Sequence, residues 1–267
     1  MSEDRSIVTL RRPRRVWAVG AIHGDAARLA ALHEQMRQRI AYGDRLIYLG
    51  NFLGYGAAIP ATIAEMMRFR RLFLSIPPYM DPTDCVYLRG AQEEMWQKLL
   101  QLQFSHRAAE DLAWMLDRGV AETLEAYGGS AAEGFALAEK GVVALAGWTG
   151  SLRDAMRAAP GHEGMMYALK RAAISQAGGT LFVSSGIDVS RALAAQTDSF
   201  WWAGRSFALI RESYEGFRRI VRGYDPDHGG LRETEVTVTV DGGCGFGGSL
   251  VAVCMTPEGD VLERLEA

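Results

Sequence analysis

The stretch "DRLIYLGNFLGYG", residues 44–56, decides how the rest of the chain is read. Leu46, Ile47, Tyr48 and Leu49 make a short unbroken apolar run, the pattern of a strand buried on both faces. The run enters a turn bracketed by Gly50, Gly54 and Gly56, residues that let a backbone reverse at positive φ. Strands that end in such turns are where open α/β sheets present their ligands. Yet Asn51, Phe52, Leu53 and Tyr55 supply neither a carboxylate nor a base.

The same alternation recurs on both sides of this stretch. Upstream, "VWAVG" (16–20) is a β-rich run, and the following "AARLAALHEQMRQRIA" (26–41) places Leu29, Leu32, Met36 and Ile40 at helical spacing. Downstream, "PATIAEMMRFRRLFLS" (60–75) opens on a proline, as helices often do, and "DCVYLRG" (84–90) is a third strand. Strand–helix alternation predicts a parallel α/β core with its site at the carboxyl ends of the strands. From Gln92 to about Ala177 the apolar spacing turns helical, with breaks at Gly128–Gly129 and Gly178–Gly179. This predicts one domain over residues 1–267, carrying a helical cap at about 92–178. Four more strand-like runs follow at 180–186, 217–223, 234–240 and 249–255. The last two are expected to pair antiparallel across "GGCGFGG" (242–248). That connector opens no helix, so it reads as a tight β connection and not as a phosphate loop.

Composition narrows the class. A net charge of −3 argues against non-specific nucleic-acid binding, which needs a strongly basic face. No apolar run reaches the roughly 20 residues of a membrane helix, and no signal peptide is visible, so neither a membrane nor nucleic acid is expected as a partner. Cys85, Cys244 and Cys254 form no CxxC pair and read as reduced core thiols of a cytoplasmic protein. The basic run Arg11–Arg15 reads as a solvated tail. Met165, Met166, Trp201 and Trp202 read as packing beneath helices, and His33 and His106 as helical residues away from the strand ends.

Three strand ends, "GAIHG" (20–24), "GNFLGYG" (50–56) and "RGAQEE" (89–94), resemble in order the GDxHG, GDxxDRG and GNH[ED] signatures of the calcineurin-like metallophosphoesterases. The likeness is nearest the bacterial branch of diadenosine tetraphosphatases and serine/threonine phosphatases. It continues in "FVSSGID" (182–188), similar to FVHAGID, and in "FWWAGRSF" (200–207), similar to a tryptophan- and arginine-bearing helix. "VRGYDP" (221–226) resembles the HGHTP turn, and "VDGGCGFGGSLVAV" (240–253) the closing IDTGAxxGGxLxAV hairpin. The resemblance implies a four-layer α/β/β/α sandwich. It also implies two divalent metals roughly 3.5–4 Å apart that generate a hydroxide nucleophile, with a histidine as general acid.

Carried over position by position, the resemblance implies a depleted site. The first motif's Asp is Ala21, while its His is kept as His23. The bridging Asp is Asn51, and the DRG segment is Gly54-Tyr55-Gly56. The ligating Asn and the general-acid His of the third motif are Ala91 and Gln92. Ser184 replaces the His of FVHAG, and Arg222-Gly223-Tyr224 replaces HGH. The glycines are nearly all kept, so the loop shapes are expected to persist while the cation-holding side chains are gone. His23 alone is expected to bond backbone carbonyls.

A vestigial pocket is therefore expected from Ala21, His23, Asn51, Tyr55, Ala91, Gln92, Ser184 and Tyr224, with no catalytic residue and no cofactor. Arg205, where the family keeps a phosphate-contacting arginine, and Arg89 are candidates for metal-free phosphate recognition. The plainer reading takes Arg205 as a solvated or salt-bridged residue, and Arg89 as a partner of Glu93 or Glu94. One rebuilt site stays open, in which His23, Asp225 and His228 hold Mn²⁺ or another divalent metal. The plain alternative is that Asp225-Pro226-Asp227 is only a turn. The function expected is a pseudophosphatase that binds a protein partner or a phosphorylated ligand. The alternative is an active phosphoesterase, on dinucleoside polyphosphates or phosphoproteins, with an atypical metal site.

Overall fold

A computed structural model describes residues 6–175 and 179–267. The expected glycine break at Gly178 and the end of the expected cap lie outside or at the edge of these residues. The strands, in chain order, are β1 (Ile7–Leu10), β2 (Val16–Val19), β3 (Arg45–Tyr48), β4 (Cys85–Tyr87), β5 (Ala172–Ser175) and β6 (Thr180–Val183). β7 (Arg219–Arg222), β8 (Arg232–Glu233), β9 (Thr237–Thr239), β10 (Val251–Met255) and β11 (Val261–Glu266) complete them. They form two sheets, ordered β11-β10-β2-β3-β4 and β1-β5-β6-β7-β9-β8.

The period-2 alternation of a strand explains why the sheets stack. Ala18, Ile47, Val86 and Val253 leave one face of the first sheet and meet Ala173, Phe182, Val221 and Val238 of the second in a common core. The opposite faces, Trp17, Val19, Leu46, Tyr48 and Tyr87, pack under helices. These are α1 (Ala26–Arg37), α2 (Ile59–Leu74) and α3 (Ala91–Leu99), followed by the cap helices α4 (Ala108–Met115), α5 (Ala121–Ala126), α6 (Ala131–Lys140), α7 (Val142–Ala158) and α8 (His162–Ala168). The far side of the second sheet is covered by a thinner layer, α9 (Ser199–Trp202) and α10 (Gly204–Phe207) with their flanking loops. The four layers are those expected.

Four local readings are corrected. β9 and β10 do not pair: β9 lies parallel to β7 in one sheet, while β10 lies antiparallel to β2 and β11 in the other. Every residue of both strands is buried, so each is better placed inside a sheet than at the rim of a hairpin, and the glycine-rich connector carries the chain between sheets. The basic run is not a free tail. Arg15 holds the fully buried Asp44 through Nε at 3.0 Å and Nη2 at 2.7 Å, and Trp17 Nε1 donates to the same carboxylate at 3.0 Å. A buried carboxylate needs such a partner, and the run links β1 to β2. The stretch read as cap also contains β5, whose Ala172, Ala173 and Ser175 are buried between β1 and β6. Finally, His106 lies in the turn before α4 and not on a helix.

All three cysteines are free and buried, and burial raises each thiol pKa, Cys85 and Cys244 to about 12 and Cys254 to about 11. Among the described residues, no helix is long and apolar enough to cross a membrane.

Candidate functional site

The loops after β2, β3, β4, β6 and β7 converge and are stitched together by their backbones. Ala21 N–H donates to Gly223 O at 2.9 Å, and Ile22 and His23 N–H both donate to Asn51 O at 3.0 and 2.9 Å. Gly56 N–H returns to His23 O at 2.8 Å, and Gly223 and Tyr224 N–H reach Ser184 O at 3.0 and 2.9 Å. His23, Asn51 and Tyr55 sit at φ of 50°, 54° and 57°, a left-handed conformation uncommon for residues with a Cβ. The loops pass so closely that a Cβ on Gly90 would lie 2.4 Å from Asn51 N.

Glu93 anchors this floor. It is fully buried and accepts from the N–H groups of Gly90 (2.8 Å), Asn51 (2.8 Å), Phe52 (2.9 Å) and Leu53 (3.0 Å). Burial pushes its pKa upward, against the pull of those donors. The cap is tied to the same loop: Gln92 Nε2 donates to Arg118 O at 2.6 Å, Tyr55 N–H to Gly119 O at 3.0 Å and Gly54 N–H to Thr123 Oγ1 at 3.1 Å.

A cleft of about 500 Å³ opens above the floor. His23, Asn51, Tyr55, Ala91, Gln92, Tyr224 and Arg205 line it, as does Ser185. Ala21 and Ser184 lie buried outside the lining, and Ser184 Oγ has no hydrogen-bond partner. Arg89 is not brought to the cleft: it pairs with Glu94 at 2.9 Å and packs over Trp201 at 5.8 Å. Arg118 lines it instead, with its guanidinium 4.4 Å from the Trp114 ring. Met165, Met166 and Trp201 are buried as expected, and Trp201 and the exposed Trp202 line the cleft. Arg118 carries no motif, whereas Trp202 lies in the "FWWAGRSF" segment that also holds Arg205. The role of Glu93 was readable in principle, since a glutamate three residues after the N-cap Gly90 is a capping signal.

The charges of the cleft are one-sided. Arg118 and Arg205 line it and no Asp or Glu does; among the described residues Arg205 has no ion-pair partner. His23 is neutral, because burial lowers its pKa to about 3. Its ring touches Tyr55, Phe246 and Tyr224 edge-on at 5.1, 5.3 and 5.7 Å.

The chain superimposes over 93–98% of its length on solved structures that carry phosphatase names. A protein provisionally named a diadenosine tetraphosphatase matches at 18% identity over 98% of each chain, with a TM-score of 0.57. A serine/threonine phosphatase from Saccharomyces cerevisiae matches at 12% identity over 93% of this chain and 76% of its own, at 0.51. A cold-active protein-tyrosine phosphatase from a psychrophilic Shewanella species matches at 13% identity over 98% and 82%, at 0.52. The chain has the calcineurin-like metallophosphoesterase fold. No sequence-family profile matches the chain, and no curated protein does.

Phosphatases of this fold are normally metal-dependent, so the donors at the metallophosphoesterase position can be tested against a pair of divalent ions. They do not fit. Arg222 stands where the resemblance places a ligating histidine; its buried guanidinium donates to Asp225 Oδ1 (2.9 Å), Thr239 Oγ1 (2.9 Å) and Gly204 O (2.8 Å). A fixed cation thus occupies the neighbourhood and engages Asp225, while the neighbouring Asp241 accepts from Asp225 N–H and Gly243 N–H, both at 2.8 Å. Asn51 Oδ1 accepts from Gln92 N–H at 3.0 Å. The open ligand set does not converge either. Phe246 is 5.3 Å from the His23 ring and stacks on His228 at 3.9 Å, and His228 Nδ1 faces Asp241 at 3.2 Å. Among the described residues, no three His, Cys, Asp or Glu side chains group as a metal site.

Proposed function

We propose that this chain is a metallophosphoesterase-fold protein that binds a phosphorylated ligand in its strand-end cleft and does not hydrolyse it by a dinuclear metal mechanism. The observation that carries the reading is the buried Arg222–Asp225 pair. A guanidinium at the position where the resemblance puts a ligating histidine supports it, and that guanidinium holds one oxygen of Asp225. The binding half of the reading is supported by a cleft of ligand size with two arginines and no acid in its lining. A regulatory role would follow from occupancy of the cleft, read out by a protein partner through the cap, which is hydrogen-bonded to the cleft floor.

Metal content tests the first half. Protein purified without chelator and equilibrated with Mn²⁺ is expected to retain less than about a tenth of an equivalent after desalting, against two for a dinuclear site. One or two retained equivalents, with turnover of p-nitrophenyl phosphate or a dinucleoside polyphosphate, would establish the active phosphoesterase instead.

A further inference from the structure

The mouth of the cleft is aromatic as well as cationic. Trp201 and Trp202 follow one another on α9, and successive residues of a helix point about 100° apart. Trp201 turns inward to the core beneath the second sheet's outer layer, and Trp202 is left on the cleft wall with 37% of its surface exposed. Arg205 comes three residues later and lines the same cleft. The cap repeats this pairing of an indole with a cation. Trp114, on α4, is 41% exposed, and Arg118 lies over its ring with Nη1 donating to Trp114 O at 3.1 Å. That contact steadies Arg118 and uses one of its five N–H donors. The two walls meet where Trp114 touches Trp202, with 5.6 Å between ring centroids and 64° between ring planes. Rings at such an angle meet edge to face, so Trp114 braces the Trp202 indole without stacking over it. The other four tryptophans of the chain are buried, so both exposed ones belong to this rim.

Given a phosphorylated ligand in the cleft, the reading on which this rests, we infer that Trp202 selects what the phosphate is attached to. The ligand class is a phosphomonoester of a planar aromatic group. Its ring stacks on the Trp202 indole, and its phosphate pairs with Arg118 and Arg205. An indole face gives a flat ring a large apolar contact that an aliphatic or sugar phosphate cannot match. The guanidinium groups supply donors in the fork geometry that suits phosphate oxygens, and no Asp or Glu of the lining competes for them.

Calorimetric titration of the 267-residue chain with two matched pairs tests this. The pairs are AMP against ribose 5-phosphate and phosphotyrosine against phosphoserine, and the members of each differ by the aromatic ring. The ring-bearing member of at least one pair is expected to bind about tenfold tighter. The pair with the larger ratio then says whether the ring is a nucleotide base or a phenol. Trp202→Leu should bring that ratio to about one, and Trp202→Phe, which keeps a smaller ring, should leave an intermediate value. A Trp202 that only braced the cap would change stability and leave the ratio where it was. Equal affinity within both pairs, or a ratio that survives both substitutions undiminished, would overturn the role of Trp202 and leave phosphate binding standing. No binding by any of the four compounds would overturn the phosphate reading, and this inference with it.

Discussion

Two buried histidines show how differently the same side chain is used in two regions of the molecule. His33, on α1, is finished: Nδ1 meets Glu65 at 2.6 Å, Nε2 meets Tyr48 Oη at 2.8 Å, and the ring stacks on Phe69 at 3.9 Å. His23, in the strand-end loop, is equally buried but has one nitrogen on a carbonyl and the other on nothing. Both have pKa values lowered, first of all by burial. Burial and titration therefore do not separate a core residue from a site residue. The difference lies in whether the hydrogen-bonding capacity is used up inside the fold, since natural cores leave few buried polar atoms unpaired.

If that distinction is right, substitutions should divide along it. The cleft's own scaffold should suffer most, since Glu93→Ala strands four buried N–H donors and should cost about 4 kcal/mol in urea unfolding. His33→Ala should come next at about 3 kcal/mol, because it leaves Tyr48 Oη and the Glu65 carboxylate without their histidine partner. Acid comes third. The unfolded histidines take a proton near 6.5, while the folded His23 refuses it until about pH 3. Stability therefore falls as pH drops below about 6.5, with a slope of about 1.4 kcal/mol per unit for this residue, or about 2 kcal/mol by pH 5. His23→Gln should make that slope shallower by this amount, and an unchanged slope would mean that folded His23 protonates normally. His23→Ala should cost only about 1 kcal/mol at neutral pH, having one hydrogen bond to lose. A cost equal to that of His33→Ala would erase the contrast between the two histidines. Arg205 should matter least to the fold: Arg205→Ala should leave stability within about 0.5 kcal/mol, yet weaken binding of ribose 5-phosphate about fivefold.

Parts of the site that depend on one segment were legible before folding, and parts that depend on two were not. The left-handed turns at Gly50 and Gly54 and the lack of a carboxylate at Ala21 and Asn51 are local facts, whereas the carbonyl that His23 meets, Leu53 O, comes from another loop. Arg222 was visible only as a residue at a ligand position of the resemblance, because its guanidinium is fixed by Thr239 Oγ1 and Gly204 O from other segments as well as by Asp225. Arg89 takes one of the partners its own segment offered, and Arg118, which had no sequence reading, lines the cleft. Arg89 is captured by Glu94 one helical turn away, whereas Arg118 reaches the cleft because the cap folds back onto the β3 loop.

Residue order alone was enough to specify the alternation of strands and helices and the glycine turns at the strand ends. These follow from residue type and from periods of two and 3.6, which each segment carries on its own. Packing was needed to send β9 and β10 into different sheets and to close Arg15 over Asp44. Packing also left His23 Nε2 and Gln92 Oε1 without partners in one cleft. Burial patterns specify that a strand needs two covered faces. They leave open which strands cover it, and a hydrogen bond between residues far apart in the chain exists only once packing has brought them together.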